Sequence, residues 1–167
     1  QEDIRQKLEP RTATSAKRLQ VVESLNQLNI PVRVMAAPMI PFLNSQELPA
    51  ILKASADRGA LDAGYTLVRL NGSIGEIFTQ WIHQSFPDRA KRILESIKQT
   101  RGGKLNDSRF GIRMRGEGEF ADMISCLFYT MHRKYFKDKS MPAYDLQAFS
   151  RKNKPSRHLF SDFESEE

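Results

Sequence analysis

The apolar positions of this chain fall into two kinds of spacing, which predict helices separated by short strands. In residues 15–29, apolar side chains recur at helical spacing, and Thr14 or Ser15 is suited to cap the first turn. Residues 32–40 instead form a short, almost continuously apolar run, which is typical of a parallel strand covered on both faces. This part of the chain therefore predicts one amphipathic helix followed by one buried strand.

A second helix and a second strand follow at once. Asn44 and Glu47 have the spacing of a capping box, and the helix that they open is expected to run to about Arg58, where Gly59 stops it. Residues 63–70 form another short apolar run. Helix, strand, helix and strand in close succession indicate βαβ organisation, so the predicted fold class is α/β with a parallel sheet.

Three further helices are predicted at residues 73–85, 88–100 and 119–136, each from apolar positions at helical spacing. Cys126 falls within the apolar stripe of the last of these helices, so we expect it to be a buried core thiol rather than a nucleophile. From Lys137 onward, prolines and separate basic and acidic runs predict a loosely docked or disordered tail.

Two strands are too few for a free-standing parallel sheet, because each strand needs hydrogen-bonded neighbours as well as covering helices. The missing strands have to come from a part of the protein outside this sequence or from a partner copy. We therefore expect the second half of a barrel-type domain in residues 1–72, a helical extension in residues 73–136, and a poorly ordered tail in residues 137–167.

Residues 101–119, which we call the basic loop, lie between two predicted helices and have neither helical nor strand periodicity. The loop contains five basic residues and five glycines. Glycine lets a backbone approach a ligand closely, and the arginine fork grips phosphates or carboxylates. The alternatives are a solvated connector, arginines that pair internally with acids such as Asp107, or a lid that packs over a small-molecule or peptide site. The candidate substrate-binding cations of the loop are Lys104, Arg109, Arg113 and Arg115.

The net charge of +6 and the isoelectric point of about 9.6 favour contact with polyanions such as nucleic acid. The single cysteine excludes an intrachain disulfide and any multi-cysteine metal site built by this chain alone, and the three histidines lack metal-ligand spacing. No apolar run is long enough to cross a membrane and no secretory leader is evident, so we expect a cytoplasmic protein without membrane contact.

Ligands of parallel α/β folds bind beyond the carboxyl ends of the strands, in the loops that lead into helices. Here those positions are residues 37–44 and 68–72, and the segment 8–12 is expected on the same side. Arg11 and Arg69 would then flank one opening, where two guanidinium groups suit a carboxylate or phosphate. The alternative for each is local, since Arg69 could pair with a nearby acid and Arg11 could cap a turn.

The rim after the first strand is rigid and apolar, because Pro38 and Pro41 remove two backbone donors. Such a rim suits a flat aromatic ring such as adenine, and it serves equally well as a simple strand terminator. The spacing of the prolines leaves both interpretations open.

Several segments recur together in an order that is characteristic of one enzyme group. They are LEPRT at 8–12, IPVRVMAAPMIP at 30–41, AGYTLVRL at 63–70, FPDRA at 86–90 and RGGKLNDSRFGIRMRG at 101–116. This set resembles the carboxyl-terminal half of radical S-adenosylmethionine enzymes, in the DNA-repair-photolyase-like branch related to spore photoproduct lyase. The resemblance covers about residues 2–136 and is most specific in the basic loop.

The resemblance implies a partial (β/α)6 barrel of the TIM type, followed by extra helices. It implies a [4Fe-4S] cluster held by a CxxxCxxC loop and S-adenosylmethionine bound to the open iron; reductive cleavage gives a 5′-deoxyadenosyl radical that abstracts a substrate hydrogen. Arg11 resembles a residue near the carboxylate or ribose of S-adenosylmethionine, and Arg69 one that faces the substrate. The residues that resemble the adenine bed are Ala37, Pro38, Met39 and Ile40.

The chain departs from this family in having one cysteine and no CxxxCxxC. We therefore expect the cluster-binding half to lie before Gln1 in a longer protein, and this chain alone to be inactive; a paralogue that lost the cluster is the alternative. Phe42 and Ser45 also stand where relatives are expected to carry Gly and Asp. The hypothesis is a radical enzyme acting on nucleic acid. Its competitors are a non-enzymatic basic module that binds nucleic acid and a subunit that completes a barrel with a partner chain.

Overall fold

The computed structural model describes residues 2–147. This part of the chain is a mixed α/β structure with a two-stranded parallel sheet, as the order of helices and strands predicts. A short 3-10 turn, Ser45–Glu47, precedes the third helix. The regular elements are α1 (Glu2–Leu8), α2 (Ser15–Gln27), β1 (Arg33–Met39), α3 (Leu48–Asp57), β2 (Asp62–Leu67), α4 (Ile74–Ser85), α5 (Pro87–Gln99) and α6 (Glu119–Phe136).

The sheet is a βαβ unit in which α3 connects the parallel strands β1 and β2. Arg33 lies opposite Asp62, and Ala36 lies opposite Tyr65. The register is interrupted after Ala36, in the segment that contains Pro38. Proline has no amide donor and is tolerated in sheets chiefly at edges and irregularities, so its position agrees with an edge strand.

One hydrophobic core lies between the sheet and the helices α3 and α6. Leu52 of α3, Leu67 of β2 and Ile124 of α6 are buried together in it. Just beyond α6, the ammonium group of Lys139 donates to the carbonyl oxygen of Ala60, 3.2 Å away. The chain segment after α6 is thus tied back to the end of α3, where cations are favoured by the helix dipole.

A second core joins α1, the loop after β1, α4 and α5. Ile4, Leu43, Ile82 and Ile93 are buried members of this core. The sequence interpretation missed α1, because Ile4 is the only buried residue of this seven-residue helix. A single apolar position gives no periodicity from which a helix can be predicted.

The prediction that β1 is covered on both faces is wrong. Arg33, Met35 and Ala37, which alternate along the strand and share one face, are exposed, and the Met35 side chain retains 55% of its accessible surface. The opposite face, which includes Ala36, packs into the first core. The sheet therefore presents an open face and, beside β1, an edge that no described strand occupies.

Two local predictions also need correction. Cys126 is exposed rather than buried, because Ile124 and Phe128 occupy the buried face of α6 and position 126 points away from them. The capping box of Asn44 and Glu47 does not form, since no side chain caps the helix start. By contrast, Thr14 caps α2 as predicted, accepting a hydrogen bond from the amide of residue 17.

Residues 137–147 contain no helix or strand, and the remainder of the predicted tail, residues 148–167, lies outside the described residues. Among the helices of residues 2–147, none combines the length and apolar character needed to cross a membrane.

Candidate functional site

The loop after β1 is held close to the end of the strand by Asn44. Its Oδ1 accepts a hydrogen bond of 2.7 Å from the amide of Ile40, and its Nδ2 donates one of 3.0 Å to the carbonyl of Pro38. The Ala37–Pro38 peptide bond is cis. Asn44 therefore shapes the rim that the resemblance assigns to adenine, instead of capping α3.

Only part of the predicted adenine bed is accessible. Met39 and Ile40 are buried in the two cores, and of the two only Met39 lines the cavity beside β1. Ala37 is exposed and Pro38 is partly exposed at the carboxyl end of β1. A flat ring could therefore contact Ala37, Pro38 and the adjacent backbone, while Met39 and Ile40 support that surface from behind.

A cavity of about 250 Å³ runs beside β1, between the strand and the helices α1, α2 and α3. Its floor includes Val34, Ala36 and Pro38 of the strand. Arg18 forms an ion pair with Glu9, at 3.1 Å, among the residues that line it. The cavity thus lies along the unpaired side of β1 and is apolar over most of its lining, with a charged rim.

Neither Arg11 nor Arg69 lines this cavity or the second one described below. Arg11 is exposed in the turn between α1 and α2. Arg69 follows β2, and its Nη1 contacts the sulfur of Met114 at 3.9 Å. Its Nε is buried without a hydrogen bond, and no acid within the described residues forms an ion pair with its guanidinium.

The basic loop is attached to the sheet through Arg101, the most buried of its cations, with 2% of its surface exposed. Its Nη2 donates to the carbonyl of Val68 at 2.8 Å, and its Nη1 donates to that of Ile112 at 3.1 Å. Burial lowers the pKa of Arg101, although Asp107 opposes that effect. A group with so high an ordinary pKa stays charged near neutrality, so Arg101 is a structural cation.

Close packing at Gly116 also fixes the loop against β2. Gly116 has a φ of +75°, and a Cβ placed there would lie 2.8 Å from a methyl carbon of Leu67 and 2.9 Å from the carbonyl oxygen of Thr100. Nearby, the amide of Leu67 donates to the carbonyl of Met114 at 2.9 Å. Glycine is therefore required at this position by both backbone conformation and space.

Arg109 is engaged inside the loop. Its Nη2 lies 2.5 Å from Oδ2 of Asp107 and 2.7 Å from Oε1 of Glu117. Hydrogen bonds from Arg109 lower the pKa of Asp107 to about 2. Arg109 thus adopts the internal pairing considered in the sequence analysis, and its ion pairs join Asp107 to Glu117 across the loop.

The other predicted loop cations are differently placed. Lys104 and Arg115 are exposed and form no ion pair within residues 2–147. Arg113 lies over the exposed ring of Phe110, with 5.3 Å between its guanidinium carbon and the ring centroid. Besides the buried Arg101, the loop therefore has one internally paired arginine and three cations that remain available to an anionic partner.

A second cavity, of about 260 Å³, lies between β2 and α6 and was not predicted. Asp62 and His132 meet there, with 2.7 Å between Oδ1 and Nε2. Burial favours the neutral form of Asp62, but hydrogen bonds from His132 and the Ala63 amide outweigh it, so the pKa of Asp62 is lowered. The sequence signal for this contact is the position of His132, four residues after the buried Phe128, because residues four apart lie on the same face of a helix.

No group of three or more His, Cys, Asp or Glu side chains within the described residues could hold a metal ion. Cys126 is a lone, exposed thiol on α6. Residues 2–147 therefore do not supply the ligand set of an iron–sulfur cluster. Ala37 and Pro38, at the end of β1, are accessible to a flat ring. No protein-family model, curated protein or solved structure matches the chain.

Proposed function

We propose that this chain is the carboxyl-terminal part of a radical S-adenosylmethionine enzyme of the DNA-repair-photolyase-like group, and that β1 and β2 are two strands of its partial barrel. The observation that carries the proposal is the unpaired side of β1. β1 contains a proline, adjoins an apolar cavity and exposes one of its faces. These are the features of an edge strand that pairs with a further strand.

The amino-terminal half of the same protein is the proposed occupant of that edge. It would supply the strands before β1 and the cysteines that this chain lacks. The cavity beside β1 is bounded on its other side by α1 and α2. The added strand would therefore pair with β1 without displacing the core that α3 and α6 form with the sheet. The complete enzyme is proposed to be cytoplasmic.

S-adenosylmethionine, when bound to the cluster, would supply a carbon-centred radical for hydrogen abstraction. Ala37 and Pro38 would form the side of the adenine site, and Asn44 would fix their backbone through its hydrogen bonds to residues 38 and 40. Arg11 is proposed to approach the cofactor only in the assembled barrel. This chain thus contributes orientation of the cofactor, and it contributes no cluster ligand.

The substrate is proposed to be anionic and to contact Arg69, just beyond the carboxyl end of β2, and the cations of the basic loop. Arg69 has a buried guanidinium nitrogen with no partner, and Lys104, Arg113 and Arg115 lack acid partners in the described part of the chain. Arg109 would stabilise the loop that carries these cations through its ion pairs with Asp107 and Glu117. Nucleic acid fits this charge pattern, because guanidinium and ammonium groups spaced along a loop suit successive phosphates.

The test compares this chain with the longer protein that includes the upstream reading frame. Purified without oxygen, the longer protein should be brown, contain iron and sulfide, and convert S-adenosylmethionine to 5′-deoxyadenosine after reduction. This chain alone should be colourless. Stoichiometric iron in this chain, or an upstream frame that encodes no CxxxCxxC, would contradict the proposal.

A matched pair of substitutions in the longer protein addresses the adenine site. Ala37→Phe adds bulk on the open face of β1 and should abolish 5′-deoxyadenosine formation while leaving the iron content unchanged. Val21→Phe adds the same ring at an exposed position of α2 and should preserve the reaction. Equal rates for the two variants would remove Ala37 from the cofactor site.

A second candidate function is a non-enzymatic module that binds nucleic acid, favoured by the unpaired cations of the basic loop. It predicts salt-dependent binding of oligonucleotides by this chain alone, with a salt slope that falls by about one unit for each phosphate contact removed. Arg113→Ala should lower that slope, whereas a barrel-completing subunit should show no such binding and should form a stable complex with its partner chain.

A further inference from the structure

The cavity between β2 and α6 lies beside the amino ends of the strands, away from the rim of Ala37 and Pro38. It combines cations, a carboxylate, a hydroxyl and aromatic rings within about 260 Å³. Of the residues that line it, Arg115 is also among the cations proposed to contact the substrate. The residues that line it are Arg33, Met35, Asp62, Ala63, Gly64, Tyr65, Arg115, Phe128, Tyr129 and His132.

The charge balance of this cavity favours an anion. Asp62 is the only acid among the lining residues, and it is already held by Arg33 at 3.1 Å and by His132 at 2.7 Å. Arg115, which belongs to the basic loop, forms no ion pair within the described residues. Its positive charge is therefore left over after the carboxylate has been neutralised.

The hydroxyl of Tyr65 provides a second, independent indication. Its oxygen is buried and has no hydrogen-bond partner. Buried polar groups are paired in most proteins, so a hydroxyl without a partner beside a cavity points to a bound group that would satisfy it. An anion within reach of Arg115 could accept the hydrogen of Tyr65 as well.

The aromatic side chains form a continuous wall. The ring of Phe128 lies 4.7 Å from that of Tyr65, 5.3 Å from that of Tyr129 and 5.4 Å from that of His132, measured between centroids. Tyr129 is exposed at the mouth. Exposed aromatic faces beside a cation are the elements that proteins use to stack a nucleobase next to its phosphate.

We propose that this cavity binds a nucleotide unit. Its phosphate would accept hydrogen bonds from Arg115 and from the hydroxyl of Tyr65, and its base would lie against the ring of Tyr129. A free mononucleotide and a nucleotide within a single strand present the same chemistry to these side chains. The inference rests on the proposed function in that Arg115 serves both, but the cavity does not include Ala37 or Pro38, so binding to it is tested without S-adenosylmethionine cleavage.

The experiment measures binding of four probes to the chain by isothermal titration calorimetry: adenosine, inorganic phosphate, adenosine 5′-monophosphate and a short oligoadenylate. The monophosphate should bind more tightly than adenosine or phosphate alone, because only it engages both the cation and the aromatic wall. If the natural ligand is a strand, the oligoadenylate should bind through the same residues even where the monophosphate is too weak to detect.

Three substitutions assign the binding to the cavity. Arg115→Gln should weaken binding about tenfold or more, since it removes a charge-assisted hydrogen bond. Tyr65→Phe removes only the hydroxyl and should weaken binding about threefold to tenfold. Arg133→Gln removes a similar exposed cation from α6 that does not line the cavity, and it should have no effect beyond a small change shared by all probes.

The proposal is overturned if neither the monophosphate nor the oligoadenylate binds, or if Arg115→Gln and Arg133→Gln behave alike. It is also overturned if inorganic phosphate binds as tightly as the monophosphate, because the aromatic wall would then contribute nothing. Circular dichroism reports whether each variant is folded. Should Arg115→Gln fail to fold, the hydroxyl deletion at Tyr65 decides the question by itself.

Discussion

The guanidinium of Arg101 donates a hydrogen bond of 2.8 Å to the carbonyl of Val68, and so ties the start of the basic loop to the end of β2. We expect Arg101→Met to destabilise the fold by about 2 kcal/mol, because it leaves the carbonyls of Val68 and Ile112 without their donor. Lys104→Met, at an exposed position of the same loop, should change stability by less than about 0.5 kcal/mol. Urea unfolding measures both, and equal effects would assign Arg101 no structural role.

The pairing of Asp107 with Arg109 makes part of the stability depend on pH. The pKa of Asp107 in the fold is about 2, below its ordinary value of 3.8. Its contribution is therefore fully present above about pH 4 and is lost as the pH falls toward about 2. In Asp107→Asn that part of the pH dependence should be missing.

Free energies of unfolding, measured across this pH range, test the prediction. Arg109→Gln should flatten the curve in the same way as Asp107→Asn, since it removes the group that lowers the pKa of Asp107. A curve for Asp107→Asn that runs parallel to that of the wild type would show that the pairing contributes no pH-dependent stability.

The sequence predicted those features that depend on neighbouring residues. Gly59 ends the third helix with a φ of +93°, as its position predicts, and α6 spans the predicted residues. The distinction between Arg101 and Arg109 could not be predicted, because it depends on the contacts of Arg101 with Val68 and Ile112. The contact between Asp62 and His132 could not be predicted either, because it depends on how α6 packs across β2.

Phe42 occupies a backbone position that glycine would adopt without strain. Its φ is +59°, and the resemblance described in the sequence analysis led us to expect glycine there. Its ring also makes contacts, lying 5.0 Å from the ring of Phe120, with the guanidinium of Arg92 at 4.0 Å. The position thus combines an unfavourable backbone conformation with favourable side-chain packing.

A pair of substitutions separates these two contributions. Both Phe42→Ala and Phe42→Gly lose the ring contacts, but only glycine relieves the left-handed conformation. We expect Phe42→Gly to be more stable than Phe42→Ala by about 1 kcal/mol, the reverse of the order found in ordinary helices or strands. Thermal unfolding of the two variants provides the comparison, and a more stable alanine variant would contradict it.

Met35 lies on the open face of β1, beside the unpaired edge of the sheet. An exposed strand with an apolar face pairs readily with another chain, so we expect this chain to self-associate as its concentration rises. A lysine at that position should oppose the association, because an added strand would bury its charge. The predicted result for Met35→Lys is a lower average mass in sedimentation equilibrium.

Met123→Lys provides the matched control, since Met123 of α6 is exposed to a similar degree, 50% against 55%, but lies away from the sheet. Both variants add the same charge, so a general effect of repulsion between chains would lower self-association equally in both. A selective effect of Met35→Lys therefore locates the contact at β1, where the proposed barrel would place its missing strand. A wild-type chain that remains monomeric at all concentrations would instead show that the exposed edge is protected, and would count against an incomplete sheet.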